Sequence, residues 1–214
     1  MSLRRFKVTL EGVKPLLCGN PCTIDTLGKE AQAKKWYTDL GRKKREIHMY
    51  ALRKLDWLFS GYWDTEGVYS YGPDLDGDAE FEGFADPCLP AQHLQRCIRE
   101  GAKHWKLGKD TNRSIMVEAD SLIEYEGPKD AREMYEDSRF VSVAHTGRGV
   151  MAVRLRIPEW KVNYSLLLND EIMDPVALEK ILKHAGMAEG LGTWRPSHGR
   201  FQLVQLQEVE LDNV

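Results

Sequence analysis

With 214 residues, the chain has length for one elaborated domain and a full core, and its 30 Lys plus Arg against 33 Asp plus Glu, a formal net charge of -3, offer no whole-molecule argument for nucleic acid. No apolar run approaches the roughly 20 residues of a membrane helix, and the first residues lack the basic and apolar regions of a signal peptide. A cytoplasmic protein without a membrane partner is expected. Its four cysteines, Cys18, Cys22, Cys88 and Cys97, then read as reduced thiols. Cys18-x-x-x-Cys22 has no matching second pair, so neither a metal nor a cofactor is expected.

In chain order, Phe6, Val8 and Leu10 alternate with Lys7, Thr9 and Glu11, the pattern of a half-buried first strand. A long helical region follows from about Thr26 to Phe59, with Trp36, Leu40, Ile47, Ala51, Leu55 and Leu58 on one stripe and a break at Gly41. Arg42, Lys43, Lys44 and Arg45 form a basic run on its solvent side. An acidic, aromatic insertion occupies about residues 60–88, within a single domain of residues 1–214. Its Asp74 to Glu80 segment places glycine fourth rather than sixth, which argues against an EF-hand calcium loop.

Leu89-Pro90 opens a second helix with Leu94, Cys97, Ile98, Gly101, Ala102 and Trp105 at helical spacing. Ile115 to Tyr125 reads as one strand and Asp130 to Glu136 as a short helical turn. Val141 to Val143 and Val150 to Ile157 read as two strands around the turn His145 to Gly149. The C-terminal stretch is strand (Asn163 to Leu168), helix (N-cap Asp174, then Pro175), Gly-rich basic loop (Gly190 to Arg200) and strand (Phe201 to Leu206).

Charge alternates along the chain. Lys29 to Lys54 holds nine basic and three acidic residues, whereas Asp64 to Asp86 holds eight acidic and no basic ones, so a local basic groove is compatible with a negative total. Arg148 stands between two glycines, and Arg195, His198 and Arg200 stand on the second Gly-rich loop. Glycines bare backbone amides and arginines supply charge, which suits a phosphate backbone; a purely structural turn is the competing reading. Trp63, Tyr69 and Tyr71 are candidates for base stacking. His145 and His198 are the histidines of these loops, and such a pair cleaves RNA without metal where both reach one phosphate. Phosphate-loop, dinucleotide, zinc-protease and serine-hydrolase motifs are absent.

Phe6 to Leu17, the Leu89 to Arg96 helix opening and the terminal strand-helix-loop-strand resemble the RAMP superfamily of CRISPR proteins. The resemblance implies an α+β fold with a ferredoxin-like (RRM-like) antiparallel core, here elaborated by the basic helix and the acidic insertion. Thr193-Trp194-Arg195-Pro196 interrupts the family's usual glycine cluster. Pro90 to Leu94, Tyr125 to Pro128 and Gly190 to Phe201 are also similar to a family of uncharacterised tailed-phage and prophage proteins, which implies a viral source, hence the host cytoplasm, and brings no activity. The expected function is non-catalytic binding of single-stranded RNA or DNA, RNA first, with Arg42, Lys43, Lys44, Arg45, Arg148, Arg195, His198 and Arg200 on the backbone. Two alternatives stay open: a module that engages a protein partner in a host defence complex or assembles as a homo-oligomer, and a metal-independent ribonuclease using His145 and His198.

Overall fold

The computed structural model describes residues 2–39, 45–64, 70–73, 79–82, 86–145 and 151–210. The strands are β1 (Leu3–Gly12), β2 (Leu16–Leu17), β3 (Ser70–Pro73), β4 (Ala79–Glu82), β5 (Cys88–Leu89), β6 (Ile115–Val117), β7 (Ser121–Glu124), β8 (Val141–His145), β9 (Met151–Ile157), β10 (Lys161–Asn169) and β11 (Phe201–Val209). The helices are α1 (Lys29–Asp39), α2 (Arg45–Ser60), α3 (Ala91–Ala102), α4 (Gly108–Ser114), α5 (Ala131–Glu136) and α6 (Pro175–Ala188). Mixed helices and antiparallel sheets make this an α+β protein. Among the described residues no helix is long and apolar enough to cross a membrane.

The chain forms two compact units. The first comprises Met1–Leu16, Cys88–Glu126 and Pro158–Val214, and the second Leu17–Pro87 and Gly127–Ile157. In the first unit the strand order is β11-β1-β10-β7-β5, with β6 also on β10, and the neighbours run antiparallel. Taken along the chain, with β5 just before α3, the order is strand (β1), helix (α3), strands (β6 and β7, then β10), helix (α6), strand (β11). Phe6, Val8 and Leu10 of β1 are buried as their alternation demands, beside Val162, Tyr164, Leu166 and Leu168 of β10. Leu94, Cys97 and Ile98 of α3 and Leu178, Ile181, Leu182 and Ala185 of α6 complete this core. Each fully buried large side chain contributes roughly 1.5–3 kcal/mol. A Cβ on Gly101 would stand 2.6 Å from the Cβ of Ala185, so the two helices approach closely where glycine meets alanine. The Asp174 carboxylate caps α6, accepting from Val176 N at 2.6 Å.

The single strand expected over Ile115 to Tyr125 is two, β6 and β7. The chain leaves the ladder between them, and the Asp120 carboxylate accepts from Ala91 N at 2.8 Å, capping α3. A cap for a helix distant in sequence has no local signature. Trp105 likewise does not continue α3; it closes a separate 3₁₀ turn, Lys103–Trp105, which ends at Lys106 in the left-handed region (φ 64).

In the second unit the expected long helix is the pair α1 and α2, with Leu40 to Lys44 outside the described residues. Ala51, Leu55 and Leu58 are buried as the stripe requires, but Trp36 is 44% exposed. Trp57 donates from Nε1 to the Phe140 carbonyl at 2.9 Å, and β8 pairs with β9, whose Val153, Leu155 and Ile157 face inward opposite Arg154 and Arg156. Within the insertion, β3 and β4 pair as a hairpin, and the Asp74–Asp78 part of the calcium-like segment lies outside the described residues.

Candidate functional site

The Gly-rich loop joins α6 to β11 in the first unit and is tied down by backbone bonds. Leu191 N donates to Gly199 O at 2.8 Å, Gly199 N to Pro15 O at 2.9 Å, and Val13 N to Arg200 O at 2.8 Å. Leu191 and Phe201 are buried at its two ends, so apolar anchors hold a polar tip. Gly199 sits at φ +69, and a Cβ there would lie 1.8 Å from Leu191 O; glycine is required by both conformation and space. The Arg195-Pro196 peptide is cis.

The tip carries the chemistry. Trp194 lies at φ 54, where a non-glycine residue is uncommon, and is 39% exposed, with its indole edge-on to His198 at 6.2 Å between ring centroids. Ser197 Oγ donates to Trp194 O at 2.6 Å and lies 3.3 Å from His198 Nδ1. Among the described residues Arg195 donates to a backbone carbonyl alone, Gly190 O, at 3.5 Å. Arg200 has its Nε buried without a hydrogen-bond partner. Neither arginine meets a carboxylate among the described residues, whereas Arg4, Arg5, Arg99, Arg132 and Arg139 each pair with one.

Helix α3 adds two residues that the sequence reading did not single out for the site. Burial first, then the positive charges of Arg195 and Arg96, holds the His93 imidazole below its ordinary pKa, with Asp120 opposing. Arg96 itself is exposed and has no acidic partner among the described residues. Cys97, one turn beyond His93, is pushed up to about 12 by burial, against the charge of Arg195. Arg96 and Arg195 thus both place positive charge beside the neutral His93 imidazole at the first turns of α3. The available sequence signal was the i, i+3 spacing of His93 and Arg96 on the polar side of a helix.

The exposed face of the first unit's sheet is where RRM-like proteins stack bases on aromatic side chains. Here the aromatics of its strands, Phe6, Tyr164 and Phe201, are buried on the opposite face. Around the middle of β1 and β10 the exposed face is polar and internally bonded, with Leu3, Met116 and Leu122 exposed elsewhere on it: Arg5 pairs with Glu118 at 3.0 Å, Ser165 donates to Glu118, Thr9 donates to Asn163 at 2.7 Å, and Asn163 donates to Glu124 at 2.6 Å. Glu11, Glu124, Glu126 and Glu159 line a cleft at one end of this sheet, which disfavours a polyanion there.

The other expected residues belong to the second unit or lie outside the described residues. Arg42, Lys43, Lys44 and Arg148 lie outside the described residues. Arg45 begins α2 and His145 ends β8, both in the second unit and both with side chains outside the description. Of the three stacking candidates, Trp63 is buried and donates from Nε1 to Leu58 O at 2.7 Å, so its indole is core; the side chains of Tyr69 and Tyr71 lie outside the description.

No protein-family model matches the chain, and no curated protein matches it. Among solved structures it is similar to a chain of "Cryo-EM structure of the Type III-B Cmr-beta bound to cognate target RNA", with a TM-score of 0.48 and 12% sequence identity. The match covers 97% of this chain and 61% of that one, so this chain spans less than two thirds of that chain's length.

Proposed function

We propose that this protein binds single-stranded nucleic acid without cleaving it, holding the backbone at the loop Gly190 to Arg200 and at Arg96 of α3. The observation that carries the reading is an exposed tryptophan, Trp194, on a loop whose Arg195 and Arg200 lack carboxylate partners among the described residues. A guanidinium without an internal counter-ion is available to a phosphate, and an exposed indole beside it offers a stacking surface that accepts any base. The internally bonded, aromatic-free sheet face supports a loop-based mode over the RRM-like one. RNA is the form to test first, following the RAMP-like resemblance. Arg42, Lys43, Lys44, Arg45 and Arg148 belong to the proposal as further backbone contacts, each to be tested by its own charge-removal variant. His198 serves in it as a donor to phosphate.

The test is fluorescence anisotropy of labelled single-stranded RNA and DNA across a salt series, with a gel of the same samples. Binding is expected to weaken steeply with salt, without cleavage. Arg195→Ala with Arg200→Ala should lower the affinity of every sequence alike and flatten the salt slope by about two, since each phosphate contact contributes close to one. An unchanged slope refutes the assignment. Cleavage that persists in chelator and is lost in His198→Ala would instead establish the ribonuclease reading.

A further inference from the structure

A groove of about 580 Å³ in the first unit, bounded by the first turns of α3, the end of α4 and β6, is not used by the loop. Its volume is within the range of small-molecule sites. The floor is apolar: Leu3 and Met116 are 37% and 55% exposed, and Leu167 lies between their strands. The rim is made of carboxamides. The carboxamides of Gln92 and Asn112 make no hydrogen bond among the described residues, and Asn169 accepts from Glu171 N at 3.1 Å through Oδ1 while its Nδ2 has no partner among them. Arg113 stands beside them without an acidic partner, and no carboxylate lines the groove, among the described residues.

Gln95 has a different task. Its carboxamide donates to Ile115 O at 2.9 Å and accepts from Val117 N at 3.1 Å, closing the free edge of β6 as another strand would. Strand addition by a peptide is thereby removed as a use of the groove. What remains is an apolar floor, amides that each donate and accept, one guanidinium and no negative charge. That set matches a planar heterocycle carrying a phosphate. Asn and Gln carboxamides pair with the donor–acceptor edge of adenine, and the phosphate meets the guanidinium. Gln92 and Arg96 are four residues apart on α3, so the groove lies one helical turn from the positive surface of the loop site.

We propose that this groove is a nucleotide pocket that takes an adenine base, with Gln92 and Asn112 reading its edge and Arg113 holding its phosphate. Where the base belongs to a strand, the proposal rests on the nucleic-acid reading above; a free adenine mononucleotide offers the same chemistry and does not.

The experiment titrates AMP, with ribose 5-phosphate as the base-free control, into three proteins: the wild type, Gln92→Ala with Asn112→Ala, and Arg195→Ala with Arg200→Ala. It follows the methyl resonance of Met116 by NMR, and affinity by calorimetry. Gln92 and Asn112 are exposed, and circular dichroism checks that both variants fold. AMP should shift Met116 in the wild type and bind about tenfold more weakly to the carboxamide variant, the effect of losing two modest hydrogen bonds. Its affinity for the loop variant should be unchanged, and ribose 5-phosphate should leave Met116 unmoved. Equal AMP affinity in the wild type and the carboxamide variant, or an unmoved Met116 with AMP, overturns the pocket. Oligoadenylate separates the sources. Affinity lost in both variants places a strand base in the groove. An AMP response alongside oligoadenylate binding that ignores the loop variant leaves the pocket standing for free nucleotide and refutes the loop site.

Discussion

Trp194 combines two properties that rarely coincide, a left-handed backbone and a large exposed ring. The backbone conformation costs on the order of 1–2 kcal/mol for a non-glycine residue, while glycine there would cost a similar entropy in the unfolded chain. Trp194→Gly is therefore expected to leave the melting temperature nearly unchanged and to weaken single-strand binding by about 1–3 kcal/mol, the range for removing one base–aromatic stack. A melting scan and an anisotropy titration on the same sample check both halves. His93 supplies a second residue-scale prediction. Its folded pKa is lowered, by burial first and then by Arg195 and Arg96, so the unfolded chain takes up a proton that the folded state refuses. Its contribution to stability is thus intact above its ordinary value of 6.5 and declines as pH falls from there toward the lowered folded value. In Arg195→Ala the His93 resonance should titrate at higher pH than in the wild type, and phosphate bound at the same surface should move it in the same direction; NMR of the imidazole protons reads both.

At the scale of elements, α3 is the organising piece of the first unit. One face packs on α6 through the Gly101–Ala185 approach, its N-terminus is capped by Asp120 from the break between β6 and β7, and its first turns carry His93 and Arg96. Gly101→Ala should destabilise by about 1–3 kcal/mol through overpacking, since the new methyl meets the Ala185 Cβ at 2.6 Å and its Cα at 3.0 Å. Urea denaturation measures this, and a companion Ala185→Gly should recover much of the loss. Asp174→Ala removes the cap of α6 and should cost about 1 kcal/mol. Because α6 feeds directly into the Gly-rich loop, the same variant is expected to loosen binding slightly while leaving its salt slope intact, which distinguishes positioning from contact.

For the whole molecule, a formal net charge of -3 is compatible with a proposed polyanion site where cations outnumber the local carboxylates, Asp120 and Glu189 among them. Four glutamates gather at one sheet end, while Arg96, Arg195 and Arg200 gather around α3 and the loop without carboxylate partners among the described residues. Screening acts over about 8–10 Å at physiological ionic strength, so a strand at the loop senses that local set more than the total. Affinity should consequently fall with salt as for a basic protein; a salt-independent titration would mean that the local set does not act as a site.

Local patterning determined a good deal of this protein. The alternation in β1, the N-cap and Pro of α6, the apolar stripe of α3 and the glycine spacing of the last loop each express a preference carried by a few neighbouring residues, and each stands in the structure as the pattern required. That Arg195 and Arg200 stand on the Gly-rich loop between α6 and β11 was legible for the same reason, since glycines and arginines on one short loop mark it in the sequence. Tertiary structure decided what depends on residues far apart in the chain. It buried the indole of Trp63, exposed that of Trp194, broke Ile115 to Tyr125 so that Asp120 could cap α3, and brought Arg195 beside His93, about a hundred positions away. Burial and electrostatic environment are sums over spatial neighbours, and a linear pattern reports only those neighbours that are also close in sequence.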